Sequence, residues 1–411
     1  MSEPVTTEQP PLKPVESLEI EKVVTNNETA IEKKEVIPST PAAVVENVPT
    51  TKYISMSMLA AAVVKNCAGA GVICSPYAFQ NMGIIGTIVV YIVLGFCNTI
   101  SSGMLIDTKK YCETHPSKYP AKRIDSDYAR IIYHLLGPTG LTCFLVIYLF
   151  AIWGVEIATA ISVVDFACKL PWPETFLNPE SRRLLLLVVT MVVIFVLVLL
   201  NNLRPIVTAA SMSIFALGLS FIILVIYGLV NYKLTWKTSF LFPISAATLF
   251  SSMGTPGYSL GFNFSYLSFY KEVNPKQEKE ARRVTAYAVA GTSFVSVVLP
   301  VVALLSYSAK EGGIQQNVLT MIPSREPAAV VVNLMMYLSV LLSYPIYGPP
   351  VNEVLEAGIK DKRDTGSFVS DRKRVGLRFL QTLVVAVIAY AVPNFGDVVS
   401  LDILSEGGER P

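Results

Sequence analysis

Charged residues are scarce in this 411-residue sequence, at 16 %, whereas hydrophobic residues make up 52 %. Soluble globular domains carry about 25 % charged residues, so the composition excludes an ordinary soluble domain. The net charge of +2 is too small to attract a phosphate backbone, so we expect no nucleic-acid partner. The mean hydropathy of +0.51 indicates an integral membrane protein.

Motifs for enzyme, nucleotide and metal chemistry are also missing. The sequence contains no P-loop, no GxSxG, no HExxH and no CxxC, and its six cysteines and two histidines have no metal-ligand spacing. We therefore expect neither an enzyme nor a bound cofactor. Without a P-loop, a proton gradient or a sodium gradient is the energy source that remains for any pumping activity.

The N-terminal segment differs from the rest of the chain. Residues 1–52 contain no aromatic residue, seven prolines, nine glutamates and five lysines. Such a segment buries too little apolar surface to offset its ordering entropy, so we predict a disordered tail. Residues 53–400 then form the transmembrane domain, and residues 401–411 form a polar C-terminal end.

Long apolar runs predict an all-α polytopic membrane protein. A helix needs about 20 residues to cross the hydrocarbon core, and lipid offers the backbone no other hydrogen-bond partner. The sequence contains about nine such segments, at residues 57–79, 83–106, 139–167, 183–200, 205–231, 243–269, 284–308, 328–347 and 377–392.

The distribution of lysine and arginine predicts the orientation. Placing the N-terminus in the cytosol puts the basic loops 107–138, 270–283 and 348–376 inside. Together with Arg204 and Arg378 they give 19 basic residues inside against 7 outside. Cytosolic loops carry the excess of positive charge, so we predict a cytosolic N-terminus. Nothing in the sequence distinguishes the plasma membrane from an endolysosomal, vacuolar or vesicular membrane.

One cytosolic loop has the pattern of a short amphipathic helix. Ser126 and Asp127 form a helix-start signal. The apolar residues that follow at helical spacing are Tyr128, Ile131, Ile132, Leu135 and Leu136. We expect a surface helix that packs on the bundle.

Two of the predicted spans are interrupted in mid-segment. Residues 65–72 have the sequence KNCAGAGV, and residues 251–257 have the sequence SSMGTPG. Glycine and proline disfavour helix continuation, and non-helical backbone at membrane depth persists only beside a cavity or inside protein. Close helix packing explains either segment alone. The two together, five helices apart, indicate a transporter with inverted repeats, whose exposed amides and carbonyls suit an amino acid.

Glu156 is a carboxylate near the middle of the third span. Its insertion costs about 2.5–3.5 kcal/mol, so it should face the bundle interior and be protonated or paired. Lys65, just before the first interruption, is a candidate partner, and both are candidates for ion coupling. A purely structural buried pair is the alternative. Glu353 and Glu356, beyond the eighth span, are expected on a solvated face.

Several segments resemble the amino acid/auxin permease family, which includes vesicular inhibitory and proton-coupled amino acid transporters. The most specific is residues 69–83, GAGVICSPYAFQNMG. Weaker similarities lie at residues 127–140, DYARIIYHLLGPTG, residues 271–275, KEVNP, residues 344–350, YPIYGPP, and residues 392–396, VPNFG. The resemblance covers about residues 53–400.

The resemblance implies an inverted five-helix repeat, the fold of sodium-coupled neurotransmitter symporters, with discontinuous helices 1 and 6. It also implies transport of a small-molecule amino acid across the lipid bilayer, often with protons. Ala62 stands about where proton-coupled members can carry a histidine, which favours Glu156 as the coupling residue. By position, the implied substrate-binding residues are Asn66, Cys67, Ala68, Gly69, Ala70, Gly71, Ser252, Gly254, Thr255 and Gly257.

Family members have ten or eleven spans, so the second repeat is predicted to be truncated after the ninth. The leading hypothesis is a secondary active amino acid transporter that works by alternating access. An amino-acid-sensing receptor of the same fold, with the tail as its signalling arm, is one alternative. An inactive truncated isoform is another. The amino acid, the coupling ion and the oligomeric state are left open by the sequence.

Overall fold

The structure is a computed structural model that describes most of the chain from Tyr53 to Val392. The described residues exclude 70, 121–123, 174, 201–202, 309–313, 316, 358 and 360–367. The predicted tail at 1–52 and the polar end at 401–411 lie outside them. Within the described part, the regular structure is helical apart from one antiparallel bridge between Leu200 and Phe368.

Thirteen α-helices follow one another along the described residues, with short 3-10 segments between some of them. They are α1 Met56–Cys67, α2 Gly71–Met82, α3 Ile84–Thr114, α4 Asp127–Cys168, α5 Pro179–Val198, α6 Leu203–Asn231, α7 Ala246–Ser252, α8 Gly254–Leu260, α9 Asn263–Tyr270, α10 Glu278–Tyr307, α11 Pro327–Ser343, α12 Gly348–Leu355 and α13 Arg372–Ala391.

Seven stretches of helix in the described part are long and apolar enough to cross a membrane, one of them running from α11 into α12. The pair α1 and α2 forms an eighth span if the bent pair counts as one. The predicted segment 243–269 is divided into the three short helices α7, α8 and α9. The apolar runs are thus helical, and each of the two spans rich in glycine and proline consists of two or three shorter helices.

The predicted amphipathic helix is confirmed as the first part of α4. The Ser126 hydroxyl accepts a hydrogen bond from the Ala129 amide, at 3.5 Å, and begins the helix. Gly137 then has φ 72° and ψ −162°, which kinks α4 before its membrane-spanning part. Only glycine adopts this conformation readily, and a Cβ there would lie 2.5 Å from the Tyr119 ring. Tyr128 and Ile131 pack into a buried cluster, as expected for a helix on the bundle surface.

The turn between α2 and α3 is joined to the segment that leads into α7. Gly83 has φ 74°, and a Cβ on it would lie 2.4 Å from the Phe242 carbonyl carbon. The Ile244 amide donates to the Asn81 carbonyl at 3.2 Å, and the Ile85 amide donates to the Leu241 carbonyl at 3.2 Å. These contacts hold the end of the first span against the beginning of the sixth.

Helix α11 lies at the centre of the bundle. In the span Pro327–Leu355, 61 % of the most apolar 18-residue stretch is buried, compared with 17 % of the corresponding stretch in α3. It packs most extensively on α6 and also on α4. The outer helices expose large apolar side chains such as Phe96 and Phe215, which suit a hydrocarbon environment.

Helix α13 presents a polar face to the interior of the bundle. Its buried residues recur every three or four positions and are Arg374, Arg378, Gln381, Thr382, Val385 and Ala389. Since this face begins with two arginines, the helix needs a carboxylate in the protein to pair with them.

Glu356 supplies that carboxylate, so the expectation that Glu356 is solvated was wrong. It is 3 % exposed, and the Nε atoms of Arg374 and Arg378 each donate to it at 2.7 Å. Arg378 also donates to the Val198 carbonyl at 2.7 Å. The cluster therefore ties α12 and α13 to the end of α5. The expectation was wrong because it used only the position of Glu356 after the prolines of 345–350. In the folded chain, α13 packs against Glu356 and buries it.

Candidate functional site

The first span is interrupted where the sequence predicts it. Helix α1 ends at Cys67, α2 begins at Gly71, and the two helices are bent by 49°. Ala68 leaves helical geometry, with φ −96° and ψ 67°, while its amide still donates to the Val64 carbonyl at 2.7 Å. Small residues permit this bend because no side chain has to be accommodated at the crossing.

The sixth span is interrupted at two places rather than over the whole predicted stretch. A single turn residue, Met253, separates α7 from α8 and lies within 251–257. The larger departure lies beyond that stretch, at Gly261, with φ −77° and ψ 80°. The rest of the predicted unwound stretch, from Gly254 onward, is helical. Pro256 falls in the first turn of α8, where a missing amide is tolerated, so it does not end the helix.

Carbonyls on both sides of Gly261 accept hydrogen bonds from side chains of the protein. Asn98 of α3 donates to the Leu260 carbonyl at 2.9 Å, and Asn263 donates to the Asn98 side chain at 2.8 Å. Tyr148 of α4 donates to the Phe264 carbonyl at 2.6 Å, and Tyr128 donates to the Asn263 carbonyl. In this structure the interruption is thus closed by α3 and α4, which satisfy groups that would be costly in lipid.

The two interrupted spans meet directly. A Cβ on Gly71 would lie 2.7 Å from the Tyr258 ring and 2.8 Å from the Ser259 hydroxyl, so only glycine allows α2 to approach α8 this closely. On the other side of the bend, the Ser265 hydroxyl of α9 donates to the Asn66 side-chain oxygen at 3.2 Å. The contact also reaches α4, because the Tyr258 hydroxyl lies 3.3 Å from Thr159 Oγ1.

The substrate-binding residues predicted for the first span lie at this crossing, as far as the structure describes them. Asn66 and Cys67 are buried, at 5 % and 0 % exposed, whereas Ala68 and Gly69 are half-buried. Gly71 contacts α8 as described above, and Ala70 lies outside the described residues.

The predicted residues of the sixth span are more scattered. Ser252 accepts a hydrogen bond from the Asn81 side chain, at 3.4 Å. Thr255 is buried, Gly254 is half-buried, and Gly257 is exposed, with no atom within 4 Å of the position a Cβ would take. The first-span residues therefore lie at the crossing itself. The four predicted residues of the sixth span lie beside it, on α7 and α8.

Glu156 lies in the bundle interior, 0 % exposed, but it does not pair with Lys65. Its two carboxylate oxygens both accept from Gln381 Nε2 of α13, at 2.9 Å each. Lys65 is 1 % exposed and donates instead to the Ser339 hydroxyl at 2.6 Å. Ser339 in turn donates to the Ser213 carbonyl at 2.9 Å, so Lys65 joins α1 to α11 and α6.

Sequence reasoning missed Gln381 and Tyr258, which contact Glu156 and the first interruption. A polar residue in a mainly apolar helix was the available signal for Gln381. That signal does not identify which helix the side chain meets.

Two apolar grooves lie elsewhere, on the outer surface of the bundle. One, of about 630 Å³, runs between α3 and α10 beside Phe96 and Tyr287. The other, of about 440 Å³, runs between α5 and α13 beside Phe379. Their outward-facing apolar walls suit lipid contact rather than a polar solute.

The class of membrane transporters has these features: interrupted helices at the centre of a multi-pass apolar bundle, and buried polar side chains around them. A family model described as "Transmembrane amino acid transporter protein" matches residues 52–401. The chain therefore belongs to the transmembrane amino acid transporter family. No curated protein sequence matches it.

A solved structure is similar over most of both chains. It is described as "Crystal structure of MhsT in complex with L-phenylalanine". The TM-score is 0.57 at 13 % sequence identity, and the match covers 87 % of this chain and 82 % of that one. The similarity confirms the predicted fold, an inverted five-helix repeat with discontinuous first and sixth spans.

Proposed function

We propose that this protein is a secondary active transporter that moves amino acids by alternating access, with a proton carried by Glu156. The family and fold support amino acid transport. The observation that supports the proton-carrying role is that Glu156 is fully buried and, among the described residues, accepts hydrogen bonds only from the neutral amide of Gln381. Over the described residues, no lysine, arginine or histidine nitrogen lies within 4 Å of its carboxylate. Such a carboxylate gains and loses a proton without breaking an ion pair.

The position of Glu156 links this proton to the interrupted helices. Thr159 follows Glu156 by three residues on α4, so the two side chains are neighbours on the helix surface. Thr159 meets the Tyr258 hydroxyl at 3.3 Å, and the Tyr258 ring lies against Gly71 at the first interruption. A change of charge at Glu156 is therefore three steps away from the bend of the first span, through Thr159 and Tyr258 to Gly71.

The interrupted segments support an amino acid as the solute. Helix α2 begins at Gly71, and the N-terminus of a helix favours a carboxylate. The carbonyl and hydroxyl groups of the adjacent segments suit an ammonium group. These carbonyls are paired with α3 and α4 side chains in this structure. We therefore interpret the structure as a closed state, and we propose that the side chains of Asn98 and Tyr148 give way when the solute binds.

The test is uptake of a panel of labelled amino acids into liposomes that contain the purified full chain. We expect accumulation under an imposed proton gradient and none under a sodium gradient alone. Glu156→Gln should abolish proton-driven accumulation while sparing exchange, because an uncharged amide keeps the fold but carries no proton. Glu113→Gln is the matched control, since Glu113 is 48 % exposed beyond the apolar part of α3.

Two results would contradict the proposal. Binding of an amino acid without any flux would favour a sensing receptor of the same fold. Unchanged proton-driven accumulation by Glu156→Gln would show that Glu156 is structural.

A further inference from the structure

Gln381 makes an asymmetric contact with Glu156. Its Nε2 atom donates to both carboxylate oxygens at 2.9 Å. Its own Oε1 atom is buried and has no hydrogen-bond partner among the described residues. Gln381 is 5 % exposed, so no bulk water compensates for the unused acceptor.

This arrangement fits the ionised form of Glu156 only. A carboxylate accepts hydrogen bonds and donates none, so the amide NH₂ group is the suitable partner. A protonated carboxyl carries an O–H donor that needs an acceptor. The nearest acceptor on the same side chain is the idle Oε1 atom, and a half-turn of the terminal amide brings it to Glu156 without changing the space that the side chain fills.

We infer that Gln381 is the positioning residue for the proton of Glu156, holding the ionised carboxylate through Nε2 and the protonated carboxyl through Oε1. In the second state, Oε1 has taken the position of Nε2, and the carboxyl O–H donates to it. Both protonation states thus keep a hydrogen-bonded partner inside the bundle, and neither leaves α4 separated from α13. The inference rests on the proposed function.

Two further titratable side chains are near this pair. One is the Tyr344 phenol, in the 3-10 segment after α11, which interacts electrostatically with the carboxylate. Arg378, one turn before Gln381 on α13, is bonded to Glu356 and to the Val198 carbonyl. Every other charged side chain in the described parts of α3, α5, α9, α11, α12 and α13, which pack on α4, lies within two turns of a helix end. Gln381 is therefore the side chain placed to respond to the proton.

The location of Gln381 connects its reorientation to other helices of the bundle. Its helix, α13, is anchored at its beginning by the Arg374 and Arg378 contacts to Glu356. A reorientation of Gln381 takes place one turn from that anchor, while Glu156 sits one turn from the Thr159 contact to α8. The pair consequently joins the interrupted sixth span to the outer helix α13.

The first experiment is the pH profile of uptake by Gln381→Leu in the same liposomes. Losing both hydrogen bonds from Nε2 to the carboxylate favours the protonated form, so the pH of half-maximal uptake should rise by about one unit, a tenfold change in proton concentration. The maximal rate at saturating proton concentration should change less than this. Gln315→Leu is a matched control, because Gln315 lies in the loop between α10 and α11.

The second experiment exchanges the two side chains. Glu156→Gln combined with Gln381→Glu keeps one carboxyl and one amide in contact. We expect proton-driven accumulation by the double variant to be at least tenfold higher than by Glu156→Gln alone. A purely packing role for Gln381 predicts no such recovery.

The third experiment needs no substitution. Infrared difference spectra of the full chain, recorded across the pH range of transport with ¹⁵N-labelled glutamine side chains, should show a glutamine amide band shifting together with a carboxylic acid band. A folded Gln381→Leu variant with an unchanged pH profile, or carboxyl titration without the amide shift, would overturn the inference. Proton-driven accumulation that survives Glu156→Gln contradicts the proposed function instead, so the two failures are distinguishable.

Discussion

Glu156 and Glu356 are two buried carboxylates of the same bundle, 0 % and 3 % exposed, with opposite kinds of partner. Glu356 accepts from the guanidinium groups of Arg374 and Arg378 at 2.7 Å each. Within the part of the chain that the structure describes, Glu156 accepts only from the neutral amide of Gln381. Both partners come from the same face of α13, so the difference lies in the charge of the partner and not in the helix that supplies it.

The comparison separates structural support from exchangeable charge. A carboxylate between two buried guanidinium groups cannot lose its charge without leaving cations unpaired in a medium of low dielectric constant. A carboxylate beside an amide changes its charge and keeps hydrogen bonds in either state. The contacts of Glu356 therefore hold α12, α13 and α5 together, whereas Glu156 is the carboxylate that we propose to carry a proton.

The largest effect is expected at Glu356. Glu356→Gln leaves two buried arginines without their carboxylate, which should lower the free energy of unfolding by about 3–5 kcal/mol. We expect poor expression and a much lower melting temperature in detergent. Glu353→Gln is the control, because Glu353 is 22 % exposed beside Lys271. If replacing Glu356, Arg374 and Arg378 together by methionine does not restore stability, the loss has a cause other than unpaired charge.

Glu156→Gln should give the opposite pattern, with stability kept and coupling lost. Two amides in contact bury no charge, so the melting temperature should equal or exceed that of the unchanged protein. Proton-driven accumulation should fall at least tenfold, which is about 1.4 kcal/mol. Melting curves and uptake measured on one preparation test both parts. A variant that unfolds like Glu356→Gln would place the two carboxylates in the same structural class.

Thr159→Val tests the contact between the Glu156 helix and the interrupted sixth span. It removes the hydroxyl that lies 3.3 Å from the Tyr258 hydroxyl and keeps the shape of the side chain. Loss of one hydrogen bond of about 1 kcal/mol should weaken apparent amino acid affinity about fivefold. Thr142→Val is the control, because Thr142 is exposed near the beginning of the membrane-spanning part of α4. Equal affinity in the two variants would separate the proton site from the solute site.

The smallest effect is expected for the exposed pair of Lys271 and Glu353, 3.6 Å apart. Lys271 is 50 % exposed, so solvent and salt screen the pair. Lys271→Ala should change the free energy of unfolding by about 0–1 kcal/mol, and less at high salt. Melting temperatures at low and high ionic strength measure this. A loss as large as that of Glu356→Gln would show that burial is not what distinguishes the two ion pairs.

Sequence reasoning was most successful where the signal is local. The glycines and small residues of 65–72 predicted the bend between α1 and α2, and Ser126 predicted the beginning of α4. It was less accurate over 251–257, because a proline in the first turn of a helix does not interrupt it. There the larger departure from helical geometry came at Gly261, where the neighbouring Asn98 satisfies a carbonyl.

The partners of the buried charges could not be predicted in the same way. Gln381 is 225 residues from Glu156, and Ser339 is 274 residues from Lys65. No periodicity or composition relates positions so far apart. The expectation that Lys65 pairs with Glu156 used charge alone, whereas α1 and α4 direct these side chains to different helices.

The sequence by itself determined that the chain is a helical membrane protein with interrupted first and sixth spans, because apolar length and glycine content act within one segment. The tertiary structure alone decided that Glu356 is an ion-pair anchor and Glu156 an amide-bound carboxylate. The physical reason is that the state of a buried charge depends on the groups packed around it, and only the folded bundle brings those groups together.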